Sequence, residues 1–148
     1  MTEPIRVLFL CVHNSARSQM AEGLLRHIGG DRYEVHSGGS EPTAAVRPLA
    51  VRAMAERGID ISEQRPKLQT LFLDYPLDYV ITTCDEARES CPVFPGRVEQ
   101  IHWRFDDPAA ATGSEEDQLA VYRRVMREIE QRVRLFVGAT EKRASRAR

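Results

Sequence analysis

A six-residue apolar run, a short polar loop and a helical pattern follow one another near the start of the chain, and this order constrains the fold most. Residues 5–10, Ile-Arg-Val-Leu-Phe-Leu, have the composition of a buried β-strand. Residues 18–28 carry apolar side chains at helical spacing, and Gly29 and Gly30 end the pattern. A strand that passes through a tight loop directly into a helix predicts the opening of a βαβ unit.

The loop between strand and helix predicts an anion site built around a thiol. Cys11 follows the strand and Arg17 opens the helix, so that backbone N–H groups and the helix N-terminus surround one point. This positive field is expected to lower the pKa of the Cys11 thiol. The guanidinium of Arg17 can hold two oxygens of a tetrahedral anion, and Asn14 suits a left-handed backbone conformation. The expected oxyanion-binding residues are Val12, His13, Asn14, Ser15, Ala16, Arg17 and Ser18. The alternative is a buried structural cysteine followed by a solvated arginine.

Composition narrows the class of protein. The 148 residues, 42% of them apolar, suit one domain, expected over residues 1–140, with a basic disordered tail over residues 141–148. A net charge of −1 gives no reason to expect nucleic acid as a partner. No apolar run approaches the ~18 residues of a membrane span, and a signal-peptide pattern is lacking, so we expect no membrane partner and a cytoplasmic location. Three cysteines and four histidines without paired metal-ligand spacing predict reactive thiols with neither metal nor cofactor.

Further strand and helix patterns alternate along the chain. Strands are predicted at residues 33–37, 79–83 and 98–103, and helices at residues 48–57 and from Ser114 onward. Alternating strands and helices predict an α/β fold with four parallel strands and helices on both faces. Cys11, Ser37, Cys84 and the pair Asp106-Asp107 each follow a predicted strand, so we expect them at one edge of the sheet.

Residues 11–23, Cys-Val-His-Asn-Ser-Ala-Arg-Ser-Gln-Met-Ala-Glu-Gly, resemble the loop and first helix of the low-molecular-weight tyrosine phosphatase superfamily. Their form is typical of its arsenate reductase branch. The resemblance spans almost the whole chain and includes Ser37-Gly38, Gly-Ile-Asp-Ile-Ser at 58–62, Cys84 and Cys91 ahead of Pro92, and Phe-Asp-Asp-Pro-Ala at 105–109. The best match is the thioredoxin-coupled arsenate reductase family, which implies a three-layer, flavodoxin-like four-stranded parallel sheet.

The resemblance implies reduction of arsenate to arsenite by an intramolecular disulfide relay. Cys11 would attack arsenic while Arg17 and the loop hold its oxygens, and Asp107 would protonate the leaving oxygen. Cys84 would then attack Cys11, and Cys91 would attack Cys84, which leaves a Cys84–Cys91 disulfide for an external reductant. Phosphate-like oxyanions would compete with arsenate for the loop.

The electron donor and the oligomeric state are less constrained. The seven-residue spacing of the last two cysteines favours thioredoxin. Glutaredoxin or a low-molecular-weight thiol stays open as the donor, and we expect a monomer.

A second set of residues is expected to support the loop. Many relatives hold a potassium ion there through Asn, Glu, Ser and Asp side chains. Asn14, Glu22 and Ser37 match three of these positions, and Lys67 occupies the fourth. We hypothesise that the Lys67 ammonium replaces the ion. The alternative is a solvated lysine.

Two other functions compete with arsenate reduction. A phosphatase of the same superfamily would use Cys11, Arg17 and Asp107 and ignore the other two thiols, and weak residual phosphatase activity is compatible with the reductase. Phosphatases of this group usually carry aromatic residues after the Asp-Pro pair, whereas three alanines follow here at 109–111. A non-catalytic oxyanion-binding or thiol-sensing module is the third possibility, and the complete set of reactive residues argues against it.

Overall fold

The computed structural model describes residues 3–146. Four strands and four helices succeed one another, with a short 3-10 turn at Gly30–Arg32, at Gln69–Phe72 and at Pro108–Ala110. The strands are β1 (Ile5–Leu10), β2 (Tyr33–Gly38), β3 (Tyr79–Thr82) and β4 (Glu99–His102). The helices are α1 (Arg17–Gly29), α2 (Pro48–Glu56), α3 (Asp85–Glu89) and α4 (Glu115–Arg146).

The strands form one parallel sheet in the order β2-β1-β3-β4. Strand β1 lies inside the sheet, and its last four residues are fully buried, as its continuous apolar pattern predicts. Leu10 pairs with Gly38 of β2 and with Thr82 of β3, so three strands end side by side. The predicted α/β fold, with a four-stranded parallel sheet between helices, is confirmed.

The two faces of the sheet are covered unequally. Val7 and Phe9 point into a large core formed with α1, α2 and α4. Leu8 and Leu10 point to the other face, into a smaller cluster that contains Cys11, Cys84, Ala87 of α3 and Phe72. Because α3 has only five residues, this second face has a thin cover beside the thiols.

The end of the chain differs from the sequence-based prediction. Residues 141–146 continue α4, whereas we expected a disordered tail over residues 141–148. This stretch contains neither proline nor glycine and is rich in good helix formers. Arg143 also pairs with Glu99 of β4 at 2.9 Å, which holds the last turns of the helix against the sheet. Residues 147 and 148 lie outside the described residues.

Helix α4 begins where the sequence predicts. The hydroxyl of Ser114 accepts a hydrogen bond from the N–H of Asp117 at 3.1 Å, and the Asp117 carboxylate accepts one from the N–H of Ser114 at 3.2 Å. Over residues 3–146, none of the helices is both long enough and apolar enough to cross a lipid bilayer.

Candidate active site

The loop between β1 and α1 is shaped by Asn14. Its φ of 50° is the one positive φ at a non-glycine residue in the described part of the chain, as the sequence predicts for this position. Its buried side chain donates to the Ser18 hydroxyl at 2.8 Å and accepts from the backbone N–H of Lys67 at 2.9 Å. Asn14 therefore closes the loop on itself and ties it to a neighbouring segment.

The peptide groups of the loop are oriented for anion binding. Three loop carbonyls accept hydrogen bonds from backbone N–H groups of the segment that follows β2: Val12 from Glu41, His13 from Thr43, and Ser15 from Arg47. The C=O and N–H of a trans peptide point in opposite directions, so carbonyls bound on the outside turn N–H groups to the inside. The N-terminus of α1 adds its partial positive charge at the same place.

Arg17 and Asp107 meet at the mouth of the loop. The Arg17 side chain is 12% exposed and donates from Nη1 to the Phe105 carbonyl at 3.1 Å. Its Nη2 lies 3.8 Å from Oδ2 of Asp107. The other Asp107 oxygen accepts the N–H of Ala109 at 3.0 Å, which fixes the carboxylate at the start of the Pro108–Ala110 turn. Cys11, Arg17 and Asp107 all line one cavity of ≈20 Å³.

Cys11 and Cys84 form a buried thiol pair. Their exposed fractions are 4% and 1%, and Cys11 Sγ donates to Cys84 Sγ at 3.5 Å. This hydrogen bond lowers the pKa of Cys84 to about 6, with further help from the N–H groups of Ala87 and Val12 and from the charge of Arg17. The same hydrogen bond, together with burial, raises the pKa of Cys11.

The expected low pKa of Cys11 is therefore found on its partner. The hydrogen bond from Cys11 to Cys84 favours the thiolate of Cys84 over that of Cys11. The charge belongs to the pair, because transfer of one proton between the two sulfurs exchanges their roles. The sequence predicted that the positive field of the loop acts on Cys11. In the structure it acts on both thiols, since the charge of Arg17 lowers the pKa of each of them.

Cys91 lies apart from this pair. All three cysteines are free, and Cys91 is half-buried with its Sγ 3.5 Å from the Pro92 carbonyl. Burial raises the pKa of the Cys91 thiol. Helix α3 and Ser90 separate it from Cys84. The five residues of α3 alone rise about 7.5 Å, whereas the Cα atoms of a disulfide lie within about 7 Å. A disulfide between these two cysteines therefore requires this segment to change conformation.

The four residues expected to support the loop do come together. Ser37 donates to Glu22 Oε1 at 2.6 Å, and Lys67 Nζ lies 3.9 Å from the same oxygen. Lys67 Nζ also donates to the Arg65 carbonyl at 2.6 Å, and its backbone N–H binds Asn14. Burial lowers the pKa of Lys67, and the Glu22 carboxylate opposes this effect.

The carboxylate of Glu22 lies between two positively charged side chains. The Lys67 charge lies beside Glu22, where it repels a second cation. Glu22 is also paired with Arg26 at 3.0 Å, so its charge is already balanced.

Further side chains surround the site, and one of them, Arg47, lacks a local sequence signal. Arg47 lines the ≈20 Å³ cavity beside Cys11, although only its place before the helix-starting Pro48 sets it apart in the sequence. His102 binds Asp85 at 2.9 Å, directly after Cys84. Asp106 pairs with two arginines, Arg104 at 3.8 Å and Arg124 at 3.4 Å. His13 contacts the Glu41 carbonyl at the exposed side of the loop.

Residues 6–146 match the profile of the low molecular weight phosphotyrosine protein phosphatase family, and the chain belongs to this family. Within it, the chain falls with the arsenate reductases, as its sequence pattern predicts. The arsenate reductase of Halalkalibacterium halodurans is 47% identical over 130 residues, which cover 88% of this chain and 93% of the relative.

Solved structures agree with this placement. A Corynebacterium glutamicum thioredoxin-dependent arsenate reductase superposes with a TM-score of 0.73 at 32% identity, covering 95% of this chain and 63% of that one. This chain thus spans less than two thirds of that protein's chain. A second arsenate reductase, solved in an oxidized state, has a TM-score of 0.76 at 32% identity and covers 90% of this chain and 97% of that one.

Proposed function

We propose that this chain reduces arsenate to arsenite through an intramolecular disulfide relay. The observation that carries the proposal is the contact of Cys84 with Cys11 at the base of an anion-binding loop. Hydrolysis of a phosphate ester needs one thiol. Two thiols 3.5 Å apart can supply the two electrons that a reduction needs.

In the first step, Cys11 attacks the arsenic atom of bound arsenate. The attack needs the Cys11 thiolate, which forms when its proton moves to Cys84 across their hydrogen bond. A sulfur–arsenic bond forms and an arsenic–oxygen bond breaks, with Asp107 in its acid form as the proton donor to the departing oxygen. Arg17 and the loop N–H groups stabilise the negative oxygens during this step.

In the second step, Cys84 releases to solvent the proton that it received from Cys11, and its thiolate attacks Cys11 Sγ. The Cys11–Cys84 disulfide forms and the sulfur–arsenic bond breaks. The electron pair of that bond remains on arsenic, which is thereby reduced from the +5 to the +3 state and leaves as arsenite. Cys11 no longer donates to Cys84 once it is bonded to arsenic, so the N–H groups of Ala87 and Val12 and the charge of Arg17 are what favour the attacking Cys84 thiolate.

In the third step, the Cys91 thiolate attacks Cys84. The Cys84–Cys91 disulfide forms, and Cys11 leaves as a thiolate that is ready for another arsenate. A dithiol protein of the thioredoxin type then reduces the disulfide and is itself oxidised. The likeness to a thioredoxin-dependent arsenate reductase supports this donor over glutaredoxin or a low-molecular-weight thiol.

The cell compartment, the oligomeric state and the competing function complete the proposal. Three free thiols fit a reducing compartment, and we place the protein in the cytoplasm as a monomer. The competing phosphatase function fits less well, because small alanine side chains, with Ala109 at the cavity itself, stand where an aromatic ester needs an aromatic contact.

Steady-state turnover tests the proposal. Arsenate and the full-length protein are combined with thioredoxin, thioredoxin reductase and NADPH, and NADPH loss is followed. Parallel reactions contain glutaredoxin with glutathione, or mycothiol with its reductase. We expect arsenate-dependent turnover with thioredoxin and none in the Cys84→Ser variant. Full turnover of that variant would contradict the relay, and preference for another donor would contradict the thioredoxin assignment.

A further inference from the structure

The segment between the second and third thiols is held at both ends by side chains from elsewhere in the chain. We call residues 85–90 the linking segment. At its start, Asp85 accepts from His102 at 2.9 Å and from Arg104 at 3.3 Å. At its end, the carbonyl oxygen of Ser90 accepts a hydrogen bond from Nε2 of Gln69 at 3.1 Å.

The proposed relay moves the second of these ends. Cys84 has to remain in contact with Cys11, with which it forms the first disulfide. The strand that leads to it is also anchored, since the N–H of Thr83 binds the Leu10 carbonyl at 2.8 Å. Cys91 is therefore the residue that moves toward Cys84. Ser90, its neighbour in the chain, has to move with it. The hydrogen bond from Gln69 to Ser90 lies on the moving end.

Gln69 cannot follow this movement. Its side chain is buried, with 6% of the residue exposed. Its backbone N–H binds the Gly39 carbonyl at 2.8 Å, and the preceding Leu68 pairs with Gly39 in a short parallel bridge. When Ser90 departs, the Gln69 amide loses its partner inside the protein. A buried donor without a partner is more costly than the loss of an exposed hydrogen bond.

Glutamine is also an unusual residue for a buried position such as that of Gln69. Gln69 begins the Gln69–Phe72 turn, in which Phe72 packs into the small core beside the thiols. An apolar side chain would fill a buried position at lower cost in desolvation. Among the described residues, the one side-chain hydrogen bond that Gln69 donates goes to the linking segment.

We propose that Gln69 is a positioning residue that retains the Cys91 end of the linking segment and so governs the exchange of the Cys11–Cys84 disulfide for the Cys84–Cys91 disulfide. The proposal rests on the proposed relay. In that exchange, Cys91 loses its proton to solvent and bonds to Cys84, and Cys11 departs as a thiolate. Because the Gln69 hydrogen bond exists only before the movement, it slows the exchange and disfavours the final disulfide. It thereby keeps that disulfide easier for an external dithiol to reduce.

The test compares Gln69→Leu with a matched control, Gln118→Leu. Gln118 likewise donates from Nε2 to a backbone carbonyl, that of Gly113 at 3.0 Å, but lies at the start of α4. The full-length reduced proteins are mixed with arsenate, quenched by thiol alkylation at successive times, and analysed by mass spectrometry. This separates formation of the first disulfide from formation of the second. The reduction potential of the Cys84–Cys91 pair is measured in dithiothreitol buffers.

We expect Gln69→Leu to form the first disulfide at the wild-type rate. The second should form about fivefold faster, because the net contribution of one hydrogen bond corresponds to a factor of about five. A fivefold shift in the equilibrium makes the potential of this two-electron couple about 20 mV more negative. Gln118→Leu should match the wild type in both respects. Gln69→Met, which keeps the side-chain length but has no N–H donor, should behave as Gln69→Leu and serves if the leucine variant is unstable.

The role of Gln69 and the disulfide relay are overturned by different results. If the second disulfide forms in all proteins but at equal rates and potentials, the role of Gln69 is wrong and the relay stands. If the wild type makes arsenite without forming the Cys84–Cys91 disulfide, the relay is wrong, and the role of Gln69 is overturned with it.

Discussion

Cys11 donates a hydrogen bond to Cys84 across 3.5 Å, and neither side chain is open to bulk solvent. The contact lowers the pKa of Cys84 and raises that of Cys11, although the two side chains share the same surroundings. In the proposed reaction, this contact places the first nucleophile, Cys11, beside the second, Cys84. Proton transfer between them decides which sulfur is the thiolate at each step of the proposed reaction.

The first prediction concerns ionisation of this pair. The pKa of Cys84, about 6, lies below the ordinary thiol value, so its thiolate persists at neutral pH and is lost as the pH falls through about 6. Cys11→Ala removes the hydrogen bond that contributes most to this shift. We expect the midpoint of the thiolate absorption band in the ultraviolet to move to higher pH in this variant.

Cys91→Ala is the matched control for that titration, because burial raises the pKa of Cys91 and the residue adds no thiolate near pH 6. Its midpoint should equal that of the wild type. A Cys11→Ala midpoint that also stays at the wild-type value would show that the contact between the two sulfurs does not set the ionisation of Cys84.

The second prediction concerns Asp107 as the proton donor to the departing oxygen. Asp107→Asn keeps the shape and the acceptor for the Ala109 N–H, but has no acidic proton. We expect kcat for arsenate to fall by about 10²–10⁴-fold, as general acid catalysis typically contributes. Asp106→Asn is the control, because Asp106 faces Arg104 and Arg124 and should retain most of the activity. Equal losses in the two variants would remove the distinction between these neighbouring carboxylates.

The third prediction concerns Lys67 as the support of the loop. Lys67→Met removes the ammonium near the buried Glu22 and leaves the backbone N–H that binds Asn14. We expect a loss of about 1 kcal/mol, or a fall in Tm of about 2–4 °C for a chain of this size. Potassium chloride should restore part of that loss, and choline chloride should not, because a small cation can take the place of the ammonium beside Glu22.

The wild type should melt at one temperature in both salts. Lys142→Met, which removes an exposed lysine near the end of α4, should leave Tm unchanged. A potassium-specific rise in the Tm of the wild-type protein would contradict the replacement of an ion by Lys67.

Local patterns in the sequence account for much of the fold and for the centre of the site. The buried strand β1, the left-handed Asn14 and the helix start at Arg17 lie within a few residues of one another, so their chemistry is visible in a short window. The parallel topology then places the ends of neighbouring strands at one edge. This rule predicts that Cys84 and Ser37 lie near Cys11 without any knowledge of side-chain packing.

Contacts between distant segments could not be predicted in this way. Gln69 and Ser90 meet across the surface of the small core, and Arg47 reaches the cavity from the start of α2; neither position has a distinguishing pattern. The sequence predicted a lowered pKa for Cys11 alone, because the contact that couples Cys11 to Cys84 joins residues 73 positions apart. The end of α4 was also missed, because the basic charge of residues 141–148 was given more weight than the helix-forming residues at 141–146.

The most direct test of the relay is a single turnover by the Cys91→Ser variant. The reduced variant is mixed with excess arsenate in the absence of any other thiol, and the arsenite released and the disulfides formed are counted. We predict one arsenite per protein molecule, a Cys11–Cys84 disulfide in the same amount, and no further turnover. Release of arsenite without this disulfide, or continued turnover, would contradict the account.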